Sequence, residues 1–146
     1  MPAAVVQAEP IPFDQLNLAP ELALGVQDRG FTETTSIQTA VFPIVTARRD
    51  LIASAETGSG KTAAYLLPAL NRILNADRAT SKATTPRRTK MLVLGPTREL
   101  VVQIEDDLQG FVYHTSLTST AIFGGTPMGP QMQALSAGVD VIVATP

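Results

Sequence analysis

The twelve residues Leu51–Thr62, LIASAETGSGKT, decide the fold. LIASA is an apolar run too short for a helix. The glycine-rich TGSGKT after it gives way at once to Leu66, Leu67, Leu70, Ile73 and Leu74, spaced as one face of a helix. That order reads as strand, loop and helix start. In such a loop the glycines let successive backbone N–H groups turn inward onto phosphate oxygens, a lysine reaches the β and γ phosphates, and a threonine hydroxyl holds Mg2+. Ala55–Thr62 therefore predicts a P-loop for a nucleoside triphosphate. Thr57, Gly58, Ser59 and Gly60 form its cradle, Lys61 and Thr62 are the catalytic candidates, and Thr62 is the Mg2+ ligand. A chance glycine turn ahead of a helix is the competing reading.

Working outward, Pro20 suits a first helical turn, Glu21 to Asp28 continue it, and Gly30 closes it. A second helix is expected from Ser36 toward Arg48, with Pro43 as a kink. Residues 1–12 hold three prolines and no periodicity, which predicts a flexible lead-in to one domain over 13–146. On the other side, Asn75 to Lys90 has no apolar pattern and reads as a connector. MLVLG (Met91–Gly95) is a buried strand, and Leu100, Ile104, Leu108 and Val112 step along a helix. STAIFGG is a third strand, Pro127 to Ala137 a helix, and VDVIVATP a fourth strand. Strands alternating with helices predict an α/β fold, a parallel sheet with helices on both faces.

With 146 residues, 45% of them apolar, the chain suits one domain with one core. A net charge of −2 excludes a basic blanket over nucleic acid, so any such contact is local. The absence of cysteine excludes disulfides, thiolate metal sites and cysteine nucleophiles. No stretch is apolar enough to span a bilayer and the first residues lack the pattern of a signal peptide, which predicts a cytoplasmic protein without a membrane partner.

Several short motifs occur in order: GFTETTSIQ (Gly30–Gln38), AETGSGKT, PTREL (Pro96–Leu100), Gly124 and Gly125, and ATP (Ala144–Pro146). In this order and spacing the chain resembles the first RecA-like domain of DEAD-box RNA helicases, its last stretch the bacterial members. The resemblance covers nearly everything from Phe13 onward. It implies a RecA-like ATP-binding domain cut before the DEAD strand, with ATP and Mg2+ as ligands. RNA and a second RecA-like domain of the same parent chain are its implied partners. Gln38 is similar to the glutamine of the Q motif, whose amide pairs with the adenine edge. Phe31 would stack on the base, and Phe13 matches an upstream aromatic of the family. A core position is the competing reading for both aromatics. Thr34 and Ser36 stand where the family usually has prolines, which implies a less rigid loop. Thr97, Arg98, Gly124, Gly125 and Thr145 would lie along the RNA backbone. Thr97 and Glu99 are also explained as a helix cap and a first-turn acid.

Six basic residues fall between Arg72 and Lys90 with only Asp77 opposing them. They read as an auxiliary nucleic-acid contact or as a solvated connector. His114 is solitary and receives no role. Hydrolysis also needs a carboxylate at the end of a neighbouring strand, and the strands end in Ala55, Gly95, Gly125 and Thr145. The DEAD and Ser-Ala-Thr sequences are absent. The chain is thus expected to be the ATP-binding portion of an RNA helicase, inactive by itself. A nucleotide- or RNA-binding module without turnover is the alternative, followed by another P-loop NTPase or kinase.

Overall fold

Pro20 has no N–H to leave unpaired in a first helical turn, and it opens α1 (Pro20–Asp28). Gly30, at φ 74°, turns the chain away from it. Then come α2 (Ser36–Thr46), with Pro43 inside it, α3 (Lys61–Thr80), β1 (Met91–Leu94), α4 (Arg98–Val112), β2 (Ser119–Ile122), α5 (Met128–Ala137) and β3 (Val141–Ala144). The computed structural model describes residues 8–80 and 88–146. Most of the expected lead-in, together with Lys82 and Arg87 of the basic segment, lies outside the described residues.

The three strands are parallel in the order β1-β3-β2, with Met91 and Ser119 both level with Val141. Parallel neighbours need crossovers, and α4 and α5 lie in them. Val93, Val141 and Val143 share one core with Val101, Ile104, Leu108 and Phe111 of α4, Leu66, Leu67 and Leu70 of α3, and Leu22 and Val26 of α1. Alternation turns Leu92 and Leu94 of β1 the other way, where each is 60% exposed.

Two sequence expectations need correction. Leu51–Ala55 is not a strand. A strand exists only where a neighbouring backbone takes up its hydrogen bonds, and these residues pair with none of the three strands. Ile52 is fully exposed. The connector begins later than expected, because α3 continues through Thr80. Asn75–Thr80 needs no apolar stripe to stay helical, since Ala76, Arg78 and Ala79 favour the helix and Arg78 pairs with Glu21 of α1. Within the expected lead-in, the described residues 8–12 have partners in the fold. Pro12 bridges Glu33 in antiparallel fashion, and Phe13 opens a short 3-10 turn through Leu16.

Candidate functional site

The loop before α3 has the backbone of a phosphate cradle. Gly58 and Gly60 have φ of 81° and 86°, the left-handed region that glycine enters without strain. The Ser59 N–H closes a turn onto the Glu56 carbonyl at 3.2 Å, and the Ala64 N–H reaches the Gly60 carbonyl at 3.1 Å. α3 therefore starts directly at the loop, with its unpaired first N–H groups there. The Lys61 ammonium folds back along the loop and donates to the carbonyls of Ala55 and, at 2.8 Å, Glu56. Ser59 Oγ is buried without a hydrogen-bond partner. Thr57 and Gly58 are exposed, and Thr62 is half-buried beside Tyr65. Burial pushes the Tyr65 phenol up, against the effect of its hydrogen bond with Thr62. A buried hydroxyl awaiting a partner, a lysine across the loop and a helix N-terminus make a donor set that fits a triphosphate.

Gln38 joins this loop to the chain after α1. Its Oε1 accepts the Thr35 N–H at 2.9 Å and its Nε2 donates to the Gly60 carbonyl at 3.1 Å. A side chain on Gly60 would collide with that amide, so the glycine is needed for the close approach as well as for its φ. Gln38 is 6% exposed, and its Oε1 and Nε2 each have one partner within the chain. Phe13 is buried in the core and stacks on Phe31 with centroids 5.8 Å apart. Phe31 is half-buried, also meets Phe111, and has the Arg29 guanidinium 6.0 Å from its centroid.

The loop containing Thr34 and Ser36, where the family usually has prolines, is tied to the segment before Phe13 by hydrogen bonds of both side chains. Thr34 is 3% exposed; its Oγ1 accepts the Ile11 N–H at 2.9 Å, and Ser36 Oγ accepts the Ala8 N–H at 3.1 Å. Sequence reading missed these partners because they lie more than twenty residues away.

The second group gathers at the C-terminal ends of the strands, the edge where open parallel sheets bind ligands. Thr97 caps α4, accepting the Leu100 N–H at 3.2 Å. The Arg98 guanidinium lies against Gly125, so close that a Cβ there would stand 2.7 Å from Arg98 Cζ. The Thr145 N–H bonds the Ile122 carbonyl at 3.1 Å, and the Gly95 N–H bonds that of Ala144 at 2.9 Å. Gln131 of α5, which the sequence did not single out, fixes the Gly124–Gly125 turn through Phe123 N–H (2.9 Å) and Thr126 Oγ1 (2.9 Å). Thr97, Arg98, Gly124, Gly125 and Thr145 thus share one edge.

Several acids elsewhere have partners within the fold. Asp140 is buried at the start of β3, accepts the Thr118 N–H at 3.0 Å and pairs with Lys90 at 3.0 Å. Asp107 pairs with Arg29, and Glu105 accepts Ser119 Oγ at 2.8 Å. Lys90 also meets Asp77 at 2.6 Å. Burial alone would lower its ammonium, and the bonds to Asp77 and Asp140 more than offset this, leaving it raised. His114 Nε2 lies 2.6 Å from Asp28 Oδ2. Among the described residues no group of three or more His, Cys, Asp or Glu stands ready to hold a metal, and no helix is long and apolar enough to cross a membrane.

A family model described as DEAD/DEAH box helicase matches residues 35–146. DEAD-box ATP-dependent RNA helicase 20 of Arabidopsis thaliana is 46% identical over 121 residues, 83% of this chain and 23% of that protein. DEAD-box ATP-dependent RNA helicase 30 of the same plant is 42% identical over 134 residues, 92% of this chain and 22% of that protein. ATP-dependent RNA helicase dbp2 of Aspergillus clavatus is 40% identical over 134 residues, 92% of this chain and 24% of that protein. The chain spans about a quarter or less of the length of these relatives. With a family match over most of its length, on a parallel α/β sheet carrying a glycine loop at a helix start, the chain belongs to the DEAD/DEAH box helicase family.

Proposed function

We propose that residues 13–146 are the nucleotide-binding part of the first motor domain of an ATP-dependent RNA helicase. The observation that carries this reading is the loop Ala55–Lys61, where two left-handed glycines, an unpartnered buried Ser59 Oγ and the Lys61 ammonium converge on the start of α3. ATP, bound with Mg2+, supplies the phosphoanhydride bond whose hydrolysis drives such a motor. Thr57 to Gly60 wrap its phosphates, Lys61 exchanges its two carbonyl partners for phosphate oxygens, and the Thr62 hydroxyl holds the Mg2+. Gln38 reads the adenine edge while staying tied to Gly60, with Phe31, backed by Phe13, as the aromatic beside the base. Thr97, Arg98, Gly124, Gly125 and Thr145 grip an RNA backbone along the strand ends. Contacts of that kind position a strand without reading its sequence. The second motor domain of the same parent is the other partner, and the cytoplasm the place of action.

Among the described residues no strand end supplies the carboxylate that would orient an attacking water, so we expect these residues by themselves to bind ATP without turnover. Losing a charge-assisted phosphate hydrogen bond costs about 1.5–3 kcal/mol, so Lys61→Ala should weaken ATP at least about tenfold. Titration of a fluorescent ATP analogue with Mg2+ reads this directly. Equal affinity in the two proteins would remove the assignment.

A further inference from the structure

The segment before Phe13 and the loop before α2 are joined as an antiparallel pair. The Thr34 N–H donates to the Ile11 carbonyl at 2.9 Å, and the Phe13 N–H donates to that of Thr32 at 3.1 Å. Thr34 adds a side-chain link, since its Oγ1 accepts the Ile11 N–H at 2.9 Å and lies 3.1 Å from the Ile11 carbonyl. The same oxygen is 2.6 Å from Thr39 Oγ1, which lies 3.3 Å from the Thr35 carbonyl. Each hydroxyl has one proton. Either Thr34 donates to Ile11 and accepts from Thr39, or it donates to Thr39, which then donates to Thr35.

In both arrangements Thr34 is held through its N–H and its hydroxyl, and the next N–H along the chain, that of Thr35, is the one that holds Gln38 Oε1. We propose that Thr34 is a positioning residue for Gln38, clamping residues 8–12 to the loop so that the glutamine amide keeps one orientation toward a base. This rests on the nucleotide reading above. Thr34 touches no ligand. It acts by denying the Thr35 amide, and hence Gln38, the freedom to rotate. Ser36, exposed and bonded to the Ala8 N–H, adds a weaker second tie.

Thr34→Val keeps the shape and removes the hydroxyl, Thr34→Ser keeps the hydroxyl, and Thr34→Ala is a second deletion without added bulk should valine fail to fold. Two readouts separate the proposal from the nucleotide reading: titration with fluorescent ATP and GTP analogues, and amide exchange at Ile11 and Thr35. In valine or alanine the preference for ATP over GTP should fall at least threefold with GTP affinity unchanged. Exchange at Thr35 should quicken at least tenfold, and serine should restore both. Loss of Ile11 protection with Thr35 unchanged would overturn the proposal, and so would equal losses of ATP and GTP affinity. If the native chain binds neither nucleotide, the nucleotide reading falls, and Thr35 exchange alone decides whether Thr34 positions Gln38.

Discussion

Asn71 is a polar residue in the buried face of α3, with Leu70 and Leu74 around it. Its Oδ1 accepts the N–H of Ala19, the residue before α1, at 2.7 Å. The helix that follows the glycine loop thereby holds the entrance to another helix 52 residues back. Asn71→Leu is close in size and strands that N–H without water, which costs about 1–3 kcal/mol. Urea unfolding should show the loss as a lower midpoint with an unchanged slope. Such a bond is invisible along the chain, where an asparagine among leucines reads only as a break in the stripe. The same holds for Thr34 and Ser36. Their difference from the family's prolines was legible, and their hydroxyl partners at Ile11 and Ala8 were not.

At the scale of elements, α1 and α4 meet at Gly25. A Cβ there would press on the backbone carbonyl of Phe111 and stand 3.0 Å from that of Gly110. In an open helix, alanine in place of glycine would gain about 0.8–1.0 kcal/mol. Here the obstacle is backbone, which cannot rotate aside, and overpacking of this kind costs about 1–3 kcal/mol. Gly25→Ala should therefore destabilise, and a lower melting temperature will show it. Helix positions were legible wherever a stripe and a stop signal coincided, as with Pro20 and Gly30 or the fourfold step from Leu100 to Val112. The end of α3 at Thr80 was not, because its last turns are held by an ion pair and by propensity. Leu51–Ala55 misled for the opposite reason. Its composition is that of a strand, but pairing is a property of two segments, and composition reports only one. The backbone of the glycine loop and its place at the start of α3 were legible, since left-handed turns are written in the residue type at Gly58 and Gly60. The tie from Gln38 to Gly60 required the fold.

For the molecule as a whole, Leu92 and Leu94, each 60% exposed, leave apolar surface on a sheet whose outer strands pair on one side only among the described residues, and Ile52 is fully exposed in the segment before the glycine loop. Surfaces of this kind promote association. The 146-residue chain should grow in apparent mass with concentration in sedimentation, and Leu92→Lys with Leu94→Lys should hold it monomeric while leaving helix content unchanged. The strand order has a further consequence in time. Among the described residues the middle strand, Val141–Ala144, is the last of the three in sequence, and Met91–Leu94 and Ser119–Ile122 pair with it alone. A nascent chain leaving the ribosome at about 5–20 residues per second carries two waiting strands until the third emerges. Ribosome-bound chains arrested with residue 140 just outside the exit tunnel should possess helices and no sheet, and a few more residues of synthesis should bring all three strands together at once.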